Sequence, residues 1–272
     1  MTHNLVLGDK ENKLLLTLEK YAVDVFTFKD AQKILQTSVP SVKNILVNLT
    51  RKRCIQRIER GKYLLVPARA GYEKYWSEYP WVIVPHLIDV YYVGFWTAMN
   101  FWGMTEQIPN TVFVATTQRK RSLEFGNQRF EFVALSEKKF FGYVEQKVGD
   151  KKFNISSKEK TLVDGLAHPQ YCGGIPEVMK ALWYSKDADD VNWGVVLQYA
   201  IDVGINVVLR RLGYLLSLLE IKSDIVNKIK KNTFKGYHYL DPAATKEKYG
   251  YSKDFGLIIN RTEDDLKDWM EH

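Results

Sequence analysis

Between residues 27 and 66 three features follow in an order that leaves few folds open: a short amphipathic stretch, a longer one just beyond a turn, and a basic hairpin. Thr27 and Asp30 have capping-box spacing with Asp in the usual Glu position, and Phe28, Ala31, Ile34 and Leu35 give the stretch behind them one apolar face. A turn follows at Gln36-Thr37. Ser38 is placed as an N-cap and Pro40 near the first turn, where its missing N–H costs little, so the spacing predicts a helix from about Val39 to Arg53. Its buried stripe is Val42, Ile45, Leu46 and Leu49, which leaves Ser41, Lys43, Asn44, Asn48, Arg51 and Lys52 on the other faces. Cys54 to Val66 reads as two short strands about Glu59-Arg60-Gly61-Lys62, where Gly61 can take the positive φ of a tight hairpin. Upstream, Leu14, Leu15, Leu18 and Tyr21 form a stripe over Asp9 to Tyr21, a first helix. Helix, helix, helix, hairpin is the order of a winged helix-turn-helix, whose third helix enters the major groove of DNA.

The charge distribution points the same way. Residues 1–70 hold thirteen Lys or Arg against six Asp or Glu, an excess equal to the +7 of the whole chain, so the remainder is neutral. A basic module joined to a neutral one is the footprint of a polyanion binder, because each phosphate neutralised releases condensed counterions. Ser41, Lys43 and Asn44 are the candidates for base edges, Asn suiting adenine and Lys guanine. Arg51, Lys52, Arg57, Arg60 and Lys62 are the candidates for phosphate contacts, which position the protein without reading sequence. A solvated basic face, or a protein-binding module of the same element order, is the competing reading.

At 272 residues, 46% hydrophobic and 26% charged, the chain suits one small and one larger globular domain. The expected boundary lies at about residue 70, giving domains 1–70 and 71–272, with an aromatic-rich run opening at Tyr72. Asp89 to Trp102 reads as a buried helix. Strands are expected near Thr111–Thr116, Arg129–Ala134 and Phe140–Gln146. Ser156 and Glu159 suggest a capping box for a helix through His168, and further helices are expected at Pro176–Ser185, Val191–Val203, Val207–Leu219 and Ser223–Lys231. Gly256 to Asn260 suggests a last strand, and Thr262 with Asp265 the cap of a C-terminal helix. The expected class is α+β. The most apolar region, Ile205 to Ile221, is interrupted by Arg210, Arg211 and Glu220, so no span of about 18 apolar residues arises. With no secretion signal at the N-terminus, a cytoplasmic protein is expected, without membrane contact. Cys54 and Cys172 lack metal-ligand or disulfide spacing and read as buried small hydrophobes.

Several blocks of the second region resemble the AbiEi-type antitoxins of type IV toxin–antitoxin systems. They are Tyr91-Tyr-Val-Gly-Phe-Trp-Thr-Ala-Met-Asn-Phe-Trp-Gly103, Glu106-Gln-Ile-Pro109 with Val112-Phe-Val-Ala-Thr116, and Ser157-Lys-Glu-Lys-Thr-Leu-Val-Asp164 followed by His168-Pro169 and Cys172-Gly-Gly174. The resemblance spans about residues 9–190 and is weak beyond 205. It implies an N-terminal domain that binds double-stranded operator DNA and represses its own operon. It further implies a C-terminal domain that antagonises a nucleotidyltransferase-type toxin without an obligatory complex. A homodimer addressing two half-sites and a monomer that binds an inverted repeat twice both fit the same reading.

Enzyme chemistry has weaker support, and neither catalysis, a metal nor a cofactor is expected. Glu145-Gln-Lys147 imitates half of a metal-dependent nuclease site and needs a second acid such as Glu131 on an adjacent strand. Asp164 and His168 share a helix face at i, i+4, and Cys172 follows His168-Pro169, yet a structural pair and a turn explain them more simply. Asp187, Asp189 and Asp190 read as an acidic loop. The aromatic stripe Tyr91, Tyr92, Phe95, Trp96, Phe101 and Trp102 reads as core. Two further readings stay open beside the repressor with antitoxin function: a ligand-responsive regulator with no toxin partner, and a metal-dependent nuclease.

Overall fold

The structure is a computed structural model that describes residues 6–66, 80–125 and 128–270. It is α+β and divides into two compact units, Met1–Leu87 with Leu123–Gln128, and Ile88–Ser122 with Arg129–His272. The boundary expected near residue 70 and the aromatic run that begins at Tyr72 lie outside the described residues.

In the first unit α1 (Asp9–Lys20), α2 (Phe28–Leu35) and α3 (Val39–Arg51) surround one small core, and β1 (Val25–Thr27), β2 (Ile55–Glu59) and β3 (Lys62–Leu65) form a sheet in the order β1-β3-β2. Each helix buries the stripe its spacing dictates: Leu14 and Leu18, Ala31 and Leu35, then Val42, Ile45, Leu46 and Leu49. Thr27 caps α2 as a capping box, its hydroxyl accepting from the Asp30 amide while Asp30 accepts from the Thr27 amide at 2.8 Å. Gln36 ends α2 in the left-handed region at φ 49. Ser38 occupies the N-cap of α3 without a side-chain bond there, so Pro40 in the first turn fixes the helix start. Gly61 turns the hairpin at φ 78, and a register shift between Arg57 and Glu59 bends β2. Strand β1 has no alternating pattern to announce it and pairs antiparallel with β3. The first unit also includes α4 (Val84–Leu87) and β6 (Leu123–Phe125).

In the second unit β4 (Tyr92–Val93), β5 (Thr111–Thr116), β7 (Gln128–Ala134), β8 (Tyr143–Val148) and β9 (Lys151–Ser156) are ordered β7-β5-β4-β9-β8. Asp89 to Trp102 is therefore not one helix: Tyr92 and Val93 pair on both sides as a central strand, and α5 (Phe95–Phe101) starts only after Gly94. Aromatic and β-branched residues buried between two neighbouring strands favour the sheet over a helix. The helix α6 (Lys158–Ala167) is buried at its centre and packs against α5, α7 (Ile175–Tyr184), α8 (Trp193–Asp202) and α9 (Asn206–Leu218). Its cap is Ser157, which accepts from the Lys160 amide, rather than Ser156, whose hydroxyl is bound to that of Thr161. After α10 (Ser223–Lys230), the strands β10 (His238–Tyr239), β11 (Gly250–Ser252) and β12 (Leu257–Ile259) form a small sheet in the order β10-β12-β11, and α11 (Glu263–Lys267) closes with the Thr262–Asp265 capping box.

Two arginines of α9 hold this small sheet. Arg210 donates to the carbonyls of Gly236 (2.6 Å), Gly256 (2.8 Å) and Lys235 (2.8 Å), and Arg211 donates to those of Leu240 (2.8 Å) and Leu166 (2.7 Å). Burial pulls the Arg211 guanidinium down to about 10, so it stays cationic at neutral pH. Gly256 sits at φ +58, and a Cβ there would collide with the Arg210 guanidinium, so only glycine permits the approach. Among the described residues no helix is long and apolar enough to cross a membrane.

Candidate nucleic-acid interface

The core stripe of α3 fixes what the opposite face presents. At 100° per residue, Lys43, Asn44, Val47 and Arg51 fall together on the side away from Val42, Ile45, Leu46 and Leu49, and all four are exposed. Ser41 lies on the flank of that stripe, half-buried. The N-terminal half of the face thus carries an amide and an ammonium with donors free to reach a partner, and its C-terminal end carries a guanidinium.

Beside the last turns of α3 the hairpin completes a groove. Leu46, Val47, Thr50 and Arg51 from α3, with Arg57 from β2 and Tyr63 from β3, line an open depression of about 340 Å³. Arg57 and Tyr63 are cross-strand partners, and Tyr63 is held by stacking on Phe26 with ring centroids 5.6 Å apart. The floor is apolar and both guanidinium-bearing residues are exposed. An apolar floor between cations suits a sugar–phosphate strand, whose sugars are weakly polar and whose phosphates are anionic. Val47 and Tyr63 were not among the sequence candidates. Val47 is detectable as the apolar residue one turn after Lys43, whereas Tyr63 emerges only from the strand pairing.

The remaining predicted cations separate into two kinds. Arg60 is exposed at the hairpin tip, and Arg57 is exposed with its Nε donating to the Glu59 carbonyl at 3.3 Å. Lys52 and Lys62 are already engaged. Lys52 pairs with the buried Glu11 carboxylate at 2.6 Å and donates to the Val6 carbonyl, fastening α1 to the end of α3. Lys62 pairs with Glu59 at 2.8 Å and donates to the His86 carbonyl. For a phosphate to recruit either ammonium, it would have to displace an intramolecular carboxylate.

The candidate chemistry of the second unit is not assembled. Glu131 on β7 and Glu145 on β8 stand at opposite sides of the sheet with β5, β4 and β9 between them, and each pairs with a cation of its own, Arg129 at 3.0 Å and Lys152 at 2.7 Å. Asp164 is bound by the Tyr92 hydroxyl at 2.8 Å and by the Lys160 ammonium rather than by the His168 ring. Burial pulls the His168 imidazole below its usual range and pushes the Cys172 thiol well above its own. Cys54 is buried as well. Asp187 and Asp190 pair with Lys186 and Lys158. Among the described residues no group of three His, Cys, Asp or Glu is placed to hold a metal ion. Of the aromatic stripe, Tyr91, Tyr92 and Phe95 are buried in the core, and Trp96 and Trp102 pack against it.

No family model matches the sequence, and no curated protein matches it. The fold is similar to that in the crystal structure of the RV2827C protein from Mycobacterium tuberculosis, with a TM-score of 0.72 at 11% identity, covering 99% of this chain and 97% of that one. At that identity the likeness is one of fold.

Proposed function

We propose that the chain is a DNA-binding transcriptional repressor whose first unit is a winged helix-turn-helix, with α3 as the recognition helix and the β2–β3 hairpin as the wing. The observation that carries this reading is the stripe Lys43, Asn44, Arg51 on the solvent face of α3, continued by Arg57 and Arg60, in a region that holds the entire net charge of the chain. Lys43 and Asn44 reach base edges near the helix N-terminus, and Arg51, Arg57 and Arg60 neutralise phosphates on either side of the groove. The second unit, on the strength of its blocks from Tyr91 to Gly174, antagonises a nucleotidyltransferase-type toxin encoded with it. A nuclease reading loses its motif, because three strands lie between Glu131 and Glu145.

The test is a shift assay on the duplex upstream of the chain's own gene. Lys43→Ala and Asn44→Ala each lower specific affinity by roughly 5- to 150-fold, the ~1–3 kcal/mol of a good base contact. Unchanged affinity in both variants would remove α3 as the recognition helix.

A further inference from the structure

The small C-terminal sheet has one face in the core and one in solvent, and the solvent face is unusual. Leu257 is fully buried in the core, so its neighbour Ile258 points outward. Tyr239 on β10 and Tyr251 on β11 are both register partners of Ile258, which puts all three side chains on the outer face. Tyr237, two residues before Tyr239, meets Tyr251 edge to face with ring centroids 5.3 Å apart. Tyr249, two residues before Tyr251, is held to the ladder by its amide, which donates to the Ile259 carbonyl at 2.8 Å. Tyr237, Tyr249 and Tyr251 are 48%, 51% and 56% exposed. Large rings on the wet side of a half-buried sheet are the informative exception to ordinary burial.

From this geometry we infer that the outer face of β10-β12-β11 is a stacking platform for single-stranded nucleic acid. Three features choose this occupant over a protein. Exposed lysines rim the rings: Lys235 precedes Tyr237, Lys248 precedes Tyr249, and Lys253 follows β11. These cations complement a phosphate backbone, and the two carboxylates that act on Tyr249 are engaged, Glu247 accepting from the Tyr249 hydroxyl at 2.9 Å and Asp265 accepting from the Thr262 amide in the α11 capping box. The platform is also rigid. Arg210 grips the carbonyls of Lys235 and Gly236, just before Tyr237, and Asn260 and Arg261 fasten Asp241 just after β10. Rings spaced along neighbouring strands on a fixed sheet take successive bases on their faces without needing a particular sequence. The inference is independent of the role assigned to the first unit, whose target is duplex DNA.

The full chain is titrated by fluorescence anisotropy against labelled oligo-dT and oligo-U twelve-mers and against a duplex of the same length. Tyr249→Ala/Tyr251→Ala lowers affinity for one or both single strands by about fivefold or more per ring while duplex affinity stays constant, and Tyr251→Phe keeps the wild-type value because stacking needs the ring and not the hydroxyl. Preference between the two oligomers tells RNA from DNA. On the unaltered chain, each oligomer that binds protects Tyr249 and Tyr251 from nitration, read by mass spectrometry, which keeps the test open if the double variant does not fold. Single-strand affinity unchanged in the folded double variant, or rings unprotected at saturating oligomer, overturns the inference. Loss of self-association in the variant, with oligomer binding intact, assigns the face to a second copy of the chain and overturns it equally.

Discussion

Replacing Arg210 with methionine tests whether the small sheet is held by α9. The side chain is fully buried, and its guanidinium satisfies three backbone carbonyls, one of them at Gly256 in a buried hydrogen bond. The Gly256 carbonyl keeps the His238 amide at 3.1 Å, so each of the three lost bonds to Gly236, Gly256 and Lys235 costs about 1 kcal/mol, for a total of about 3 kcal/mol. Against the ~5–15 kcal/mol of a typical domain this is a large fraction. Five of the seven tryptophans, Trp96, Trp102, Trp183, Trp193 and Trp269, lie in the second unit, so its unfolding dominates the tryptophan fluorescence change in urea. With a urea slope of ~2–3 kcal/mol/M, the midpoint falls by about 1–1.5 M. Arg210→Lys is nearly as harmful, because one ammonium cannot reproduce the planar fork that reaches Gly236 and Gly256 through Nη1 and Lys235 through Nη2. A midpoint within about 0.3 M of wild type in the methionine variant, on the same slope, would refute the clamp.

Thr27→Ala removes the cap of α2 and lowers stability of the first unit by about 1 kcal/mol, measured by urea denaturation followed by circular dichroism. The Thr27 hydroxyl, followed by its amide, holds the Asp30 carboxyl below the ordinary carboxylate range. Its stabilisation is therefore full above that range and is lost as the pH falls through and below it, so Asp30→Asn flattens the acid limb of the stability profile; a limb of unaltered slope contradicts the assignment. Lys160→Met leaves Asp164 buried with only the Tyr92 hydroxyl and costs about 3–5 kcal/mol, whereas Lys160→Met/Asp164→Leu recovers much of that loss; equal losses in the two variants would show that the pair is not the source. Arg60→Ala weakens specific and non-specific duplex binding about equally and reduces the salt slope by about one, and a loss confined to one sequence would mean base readout instead.

Periodicity made the helices of both units legible, because stripes such as Val42, Ile45, Leu46 and Leu49 recur at helical spacing whatever the rest of the chain does. The stripe left over on α3 followed directly. What escaped were features set by distant partners. Tyr92-Val93 is two residues long and becomes a strand only because β5 and β9 lie on either side, while the run of aromatics around it imitates a buried helix. Arg210 and Arg211 look like charges that interrupt an apolar stretch, and their acceptors lie up to 46 residues away. Lys52 looks like a free phosphate contact until Glu11, 41 residues earlier, is brought beside it. The tyrosine face depends on β10 and β11 sharing Ile258 as a register partner, one through a parallel and the other through an antiparallel pairing that no local pattern encodes.

The central claim is that the first unit recognises a particular duplex through α3 and its wing. The most direct measurement is a titration of the full chain against its own upstream DNA and a scrambled duplex of the same length and composition, at two salt concentrations. Binding at least tenfold tighter to the upstream duplex, weakening on both duplexes as salt rises, is the result this account predicts. Equal affinity for both duplexes, or none for either, would contradict it.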